Sequence, residues 1–330
     1  MKILVVTQQN SGVGYHRLML PIYFLPKTYA LFTDVLSEEN LKDGYDILLI
    51  NRFIQGVELQ TILEYKKKYG FKLVVDIDDY WHLDPWHVLY KRYPTQVIID
   101  HIKAADLVTT THDRLRDKVL EFNKNVEILP NALPYGEDQF TDARTESDKV
   151  RFIYAGSITH QKDIEILKNP LKRFIGYKGK IEFGLCGYDD NKFTQDIWWR
   201  MIDAYTQGLE LGYVRQALPV TEYMNFYNDA DACLVPLVDS TFNSMKSNLK
   251  LLEAACKKVP VIASNVHPYK DSPIIPINKQ TDWFPAIKKV IEDSIYRSEK
   301  GLELYEWANE NYNLHKINLK RKDIYASNKM

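Results

Sequence analysis

Short apolar runs recur along this chain, and most are separated from the next by a stretch with helical periodicity. Ile3–Thr7, Ala30–Thr33, Asp46–Ile50, Lys72–Val75, Leu107–Thr111 and Val126–Leu129 are such runs, and Val57–Tyr69 and Arg114–Phe122 are helical stretches between them. Strands separated by helices cannot close hairpins, so neighbouring strands must run parallel, with helices covering both faces of the sheet. The pattern lapses in the polar stretch Tyr135–Lys149, which reads as a linker. It restarts with Arg151–Ala155, Lys180–Leu185, Ala232–Pro236 and Val259–Ser264, and Leu302–Ala326 reads as helical. The expected fold class is therefore α/β, with two doubly wound parallel-sheet domains. The first spans 1–140 and the second 148–300, with C-terminal helices over 301–330 that cap the second or cross back to the first. Two such domains in tandem are expected to face each other across a cleft.

Composition narrows the function classes. The chain has 330 residues, 45% hydrophobic and 26% charged, which excludes a disordered or fibrous protein and is enough for two cores. The net charge of −1 provides no general attraction to nucleic acid or anionic membrane. Residues 1–150 hold 18 basic against 22 acidic side chains and 151–330 hold 25 against 22, which tilts an anionic ligand toward the second half. Cys186, Cys233 and Cys256 are too far apart in sequence for a CxxC motif, and each follows an apolar residue, so buried free thiols are expected. The opening apolar run turns polar at Thr7, too early for a signal peptide. No run approaches the ~20 apolar residues of a membrane helix. A cytoplasmic location without stable membrane insertion is expected.

Ligands of an open α/β sheet sit outside the carboxyl ends of its strands, so the strand-end loops carry the candidates. Ser11-Gly12-Val13-Gly14 follows the first strand. The third glycine of a GxGxxG fingerprint would fall at Arg17, which disfavours a nicotinamide site, and there is no GxxxxGK[ST]. Arg17 is suited to pair with a diphosphate, or is a surface arginine beside a tight turn. Asp76-Ile77-Asp78-Asp79 follows the Lys72–Val75 run. Asp78 or Asp79 is suited to accept a proton from a hydroxyl, to cap a helix or to pair with a neighbour, and Tyr80, Trp81 and Trp86 offer faces for a sugar or base. Gly156-Ser157 and Gly187 also follow strands, and His160 lies just beyond the first of these turns. A helix capped by Asn243 or Ser244 puts Lys246, Lys250 and Glu253 on one stripe and Met245, Leu249, Leu252 and Cys256 on another. Its N-terminus suits phosphate, with Lys246 and Ser247 adding charge and a hydroxyl and Glu253 accepting from ribose hydroxyls. The same spacing fits an exposed Lys250–Glu253 pair with no ligand.

Pro236-Leu237, Phe242-Asn243, Lys246-Ser247, Leu249-Lys250, Leu252-Glu253 and Val259-Pro260-Val261-Ile262-Ala263-Ser264 together resemble the donor-nucleotide signature of GT-B glycosyltransferases. The resemblance is to the retaining, family-4-type group that includes glycogen and sucrose synthases, and it extends to compact phage and bacterial members. Tyr154–Asp163 resembles that family's loop after the first donor-domain strand, and Cys186-Gly187 resembles its next strand-end turn. Ala105–Val108 with Leu129-Pro130-Asn131 resembles the exit from its first domain, and Tyr305–Tyr325 its closing helices. Many members carry two glutamates separated by seven residues; here Glu253 is the second and Met245 stands at the first position.

The resemblance implies two Rossmann-like domains, acceptor-side over 1–140 and donor-binding over 148–300. It implies transfer of a sugar from a nucleoside-diphosphate sugar, expected to be UDP-linked, to a glycan, a lipid-linked glycan or a modified DNA base. Retention, no metal and no cofactor beyond the donor are expected, in the host cytoplasm if the chain is phage-encoded. The implied donor-binding set is Gly12, Gly14, Gly156, Ser157, Gly187, Lys246, Ser247, Lys250 and Glu253, and the catalytic set is Asp78, Asp79, His160 and Arg17. Two other readings stay open. One is a sugar-nucleotide 2-epimerase of the same fold. The other is a non-catalytic sugar-nucleotide-binding protein, which Met245 favours and the Lys246-to-Glu253 pattern opposes.

Overall fold

The computed structural model describes residues 1–8 and 10–327. The chain forms two compact units. One comprises Met1–Ala132, the tripeptide Met245–Ser247 and the C-terminal residues from Tyr312; the other comprises Leu133–Ser244 and Asn248–Asn311.

The first unit is built on β1 (Lys2–Val6), β2 (Tyr29–Thr33), β3 (Ile47–Asn51), β4 (Lys72–Ile77), β5 (Leu107–Thr110) and β6 (Val126–Ile128). All pair in parallel, in the order β2-β1-β3-β4-β5-β6. The strands are apolar on both faces, as a doubly covered sheet requires. Ile3, Val5, Ile47, Leu49 and Val74 turn to one side, against Leu18, Ile22 and Tyr325. Leu4, Val6, Leu48, Ile50, Leu73 and Val75 turn to the other, against Ile62, Ile98, Ile102 and Leu115. Strand order reverses between β1 and β3, the switch point beside which such sheets bind ligands.

The second unit holds β7 (Val150–Ala155), β8 (Ile181–Tyr188), β9 (Gly212–Gln216), β10 (Ala232–Val235), β11 (Val261–Ser264) and β12 (Ile275–Ile277). These are again all parallel, in the order β12-β11-β10-β7-β8-β9, with the reversal between β7 and β10. Phe152, Tyr154, Phe183, Leu185, Leu234 and Ile262 pack there against Trp198, Met201, Tyr205 and Trp283.

Two sequence expectations need correction, and the expected C-terminal helices gain their bounds. The Leu302–Ala326 stretch is two helices, Ser294–Asn311 and Leu314–Ala326. Asn313 between them is extended, and its side chain accepts from His315 N at 3.1 Å, starting the second helix afresh. That helix belongs to the first unit: Tyr325 joins its core, and Asn318 Nδ2 donates to Pro21 O at 2.9 Å. The polar stretch Tyr135–Lys149 is strapped to the second unit instead of hanging as a linker. Phe140 is buried, Lys257 Nζ donates to Thr141 O at 2.7 Å, and Arg151 Nη1 donates to Thr145 Oγ1 at 2.7 Å. Finally, β9 and β12 were not expected. They are the edge strands of the second sheet, one half-exposed and one the three-residue Ile-Pro-Ile, so neither shows a long apolar run. Cys186, Cys233 and Cys256 are buried and unbridged. Among the described residues no helix is long and apolar enough to cross a membrane.

Candidate functional site

In the first unit the loop after β1 closes on itself. Ser11 Oγ accepts from Gly14 N at 3.1 Å, and the chain then winds as a π-helical turn, Tyr15–Met19. Gly14 is buried, and a Cβ there would lie 2.2 Å from Thr7 Oγ1; Gly12 is exposed with open space around it. The turn drives Arg17 inward. Arg17 Nε and Nη2 donate to the two carboxylate oxygens of Asp76 at 2.9 and 2.8 Å, and Nη1 donates to Leu129 O and Asn131 Oδ1 at 2.8 and 3.1 Å. Thr109 Oγ1 donates to Asp76 Oδ2 at 2.6 Å. The expectation of a guanidinium open to a diphosphate is therefore not met. Arg17 is 4% exposed and acts as a strut, because β4 runs on to Ile77 and carries Asp76 inside the sheet. His16 beside it is held near pKa 4 by burial and by the charge of Arg17, so it is neutral at pH 7.

Asp78 and Asp79 lie just past the carboxyl end of β4 and are drawn together by Arg52. Its Nε donates to Asp78 Oδ1 at 3.0 Å, Nη2 to Asp79 Oδ2 at 3.3 Å and Nη1 to Tyr93 OH at 2.8 Å. Asn51 Nδ2 donates to Asp78 Oδ1 at 3.0 Å. Arg52 holds a left-handed backbone (φ 58°), an uncommon state for a long side chain and one that clusters at functional sites. Burial pushes the Asp78 carboxyl above its ordinary range; Arg52 and Asn51 oppose this, while Asp79 and Asp76 add to it. Neither aspartate caps a helix, and Trp81 lies in the core, closed to a sugar. Arg52, Asn51 and Asn131 were missed by sequence reasoning. Only the position of Asn51-Arg52 directly after an apolar run signalled the first two.

In the second unit, the loops after β7 and β8 press together. Gly156 N donates to Cys186 O at 3.1 Å, Gly187 has φ 102°, and a Cβ on Gly187 would fall 2.4 Å from Gly156 O. Gly187 must lack a side chain for the two backbones to approach this closely, whereas a Cβ on Gly156 would press on the Tyr154 ring, 2.9 Å away. Lys250 Nζ donates to Ala155 O and stands 4.7 Å above the Tyr154 ring, so it braces this strand end. Ser157 is exposed, with its hydroxyl 2.8 Å from Thr159 Oγ1.

His160 Nδ1 lies 2.8 Å from Asp163 Oδ2. The other oxygen of Asp163 accepts from Val238 N at 2.9 Å and Asn243 Nδ2 at 3.1 Å, and Asn243 Nδ2 also donates to Val238 O at 2.9 Å. Asp163 thus orients the imidazole and ties together the loops that follow the two switch-point strands, β7 and β10. The sequence signal for it was the His160–Asp163 i,i+3 spacing.

The signature helix begins later than expected. Asn243–Met245 is a single 3₁₀ turn, and the α-helix is Leu249–Cys256, with Asn248 at its cap position. Lys246 and Ser247 therefore share no helix stripe with Lys250 and Glu253. They count with the first unit: Met245 is buried in its apolar cluster, and Asn131 Nδ2 donates to Ser247 Oγ at 2.7 Å. Nor is Lys250–Glu253 an exposed pair. Glu253 is 2% exposed and accepts from Tyr227 OH at 2.7 Å. Burial pushes its carboxyl up to about 7, against the pull of Lys250 and the Tyr227 hydrogen bond. A buried carboxylate held by a specific partner is a candidate functional group.

No family model matches the chain, and no curated protein does. Solved structures do. HepE of Anabaena in complex with UDP-glucose is similar at 11% identity over 98% of each chain, with TM-score 0.70. The E. coli trehalose-6-phosphate structure bound with UDP-2-fluoro glucose is similar at 12% identity over 99% of each chain, with TM-score 0.68. A UDP-forming α,α-trehalose-phosphate synthase from Burkholderia xenovorans is similar at 11% identity over 85% of this chain and 73% of its own, with TM-score 0.60. At such identities the likeness is one of fold. The chain has the GT-B fold of these proteins: two doubly wound, six-stranded parallel α/β sheets.

Proposed function

We propose that this chain is a glycosyltransferase that takes a sugar from a UDP-sugar and transfers it to an acceptor hydroxyl with retention. The observation that carries the reading is Glu253, a carboxylate buried in the second unit and steadied by Tyr227. Structures of this fold bound to UDP-glucose and UDP-2-fluoro glucose support a uridine nucleotide as the ligand. In this reading Glu253 accepts hydrogen bonds from ribose hydroxyls, and the backbone around Gly156, Ser157 and Gly187 serves the diphosphate. Lys250 holds that backbone in place through Ala155 O. Stabilisation of the departing UDP is the main catalytic work of such a site. His160, oriented by Asp163, serves the sugar. The first unit serves the acceptor, with Asp78 and Asp79 receiving its hydroxyl.

The proposal includes independence of metal, no cofactor beyond the donor and a cytoplasmic setting, and it extends to a compact phage or bacterial enzyme. The acceptor is a glycan, a lipid-linked glycan or a modified DNA base. The test is a transfer assay in EDTA with UDP-sugars labelled in the sugar, offered those three acceptor classes, with the anomeric configuration of the product read by NMR. Labelled product of retained configuration is expected. Sugar epimerised without any acceptor, or nucleotide bound with no transfer to any class, would replace this reading with one of its two alternatives.

A further inference from the structure

Trp86, Val88, Leu89 and Tyr90 are 50, 40, 46 and 48% exposed, and Lys91 and Arg92 beside them are exposed too. Consecutive large apolar side chains on a surface mark an interaction site more often than chance. The run is displayed on a fastened segment. On one side Trp81 and Leu83 are buried, and Thr95 Oγ1 donates to Trp81 O at 2.8 Å. On the other, Tyr93 OH accepts from Arg52 at 2.8 Å. Between these anchors, His87 N bonds Asp84 O, Leu89 N bonds His87 Nδ1, and Tyr90–Arg92 forms a 3₁₀ turn.

We propose that Pro85–Arg92 is a docking surface for an anionic phospholipid bilayer. The residue types decide between occupants. Trp86 and Tyr90 each carry an apolar body and a polar tip, the combination that settles at the headgroup boundary. Val88 and Leu89 gain from transfer into an apolar phase and offer a sugar no hydrogen bond. Lys91 and Arg92 extend long stems with cationic ends, which complement phosphate headgroups. Asp84 is the one carboxylate in 84–94. A patch this small attaches reversibly at the surface and does not insert. The proposal stands apart from the transferase reading; if both hold, bilayer docking selects the lipid-linked acceptor.

The experiment is co-sedimentation of the full chain with vesicles of equimolar phosphatidylglycerol and phosphatidylcholine, or of phosphatidylcholine alone, at low and high salt. Binding to the anionic vesicles, weakened by salt, is expected. Val88→Ser with Leu89→Ser should lower it about tenfold, and Lys91→Gln with Arg92→Gln about twentyfold or more. These side chains are exposed, so unchanged thermal midpoints should show that the variants remain folded. UDP binding, measured alongside, reports on the donor reading separately. Three results would overturn the proposal: no binding of the wild type to anionic vesicles, binding unchanged in both variants, or a concentration-dependent dimer that Leu89→Ser dissolves without any vesicle binding. The last would make a second copy of the chain the occupant.

Discussion

Burial of the Glu253 carboxyl works against the stability of the fold at neutral and higher pH. The carboxyl stands at about 7 against an ordinary 4.5, so the folded chain holds this proton more tightly than the unfolded one does. The resulting stabilisation is complete below about pH 4.5 and is lost as pH rises through 7, a difference on the order of 3 kcal/mol. Glu253→Gln removes that dependence. Urea titrations at pH 5 and pH 8 should show the variant close to wild type at the lower pH and more stable at the higher one. Parallel curves at both pH values would mean that the carboxyl is not strained by burial. The two glycine loops offer a second test at this scale. Gly187→Ala meets a positive φ and the Gly156 carbonyl, and should cost about 2 kcal/mol or more. Gly12→Ala meets nothing within 4 Å and should change stability by less than about 1 kcal/mol. Similar losses from both would refute the close approach of the two strand ends.

At the scale of elements, most strands were legible because parallel strands covered on both faces must be apolar throughout. The two that escaped, β9 and β12, lie at sheet edges, where that requirement lapses. The candidate site was legible only as far as local chemistry reaches. Gly156, Gly187, Lys250 and Glu253 stood out by motif, but the helix start did not follow from the Asn243-Ser244 cap pattern. The burial of Met245 and the Asn131–Ser247 bond hold the intervening tripeptide out of the helix, and no local rule sees partners more than a hundred residues away. Arg17 is a further case: its inward turn depends on Asp76 and Asn131, 59 and 114 residues away. The C-terminal helix Leu314–Ala326 provides a direct test. Truncation after Asn311 removes Tyr325 and Asn318 and uncovers the Ile3, Val5 and Leu49 face. Circular dichroism and limited proteolysis should then find residues 1–132 unfolded or readily cut. A truncated chain as protease-resistant there as the full one would contradict the assignment of this helix to the first unit.

At the scale of the whole molecule, two sheets of the same architecture carry different chemistry at their switch points. The first sheet gathers arginines and aspartates locked in mutual pairs. The second gathers closely packed glycine backbones, a histidine fixed by an aspartate, and the buried Glu253. The central claim is that the second of these sites holds the donor nucleotide. Calorimetric titration of UDP at pH 8 into wild type and Glu253→Gln, with thermal unfolding of both at saturation, tests it most directly. The wild type should bind and gain roughly 2.7 kcal/mol at a hundredfold excess over its dissociation constant. The variant, folded and more stable without ligand, should bind at least about tenfold more weakly, the loss expected when a charged hydrogen-bond acceptor is removed. UDP bound equally by both proteins, or by neither, would contradict the account.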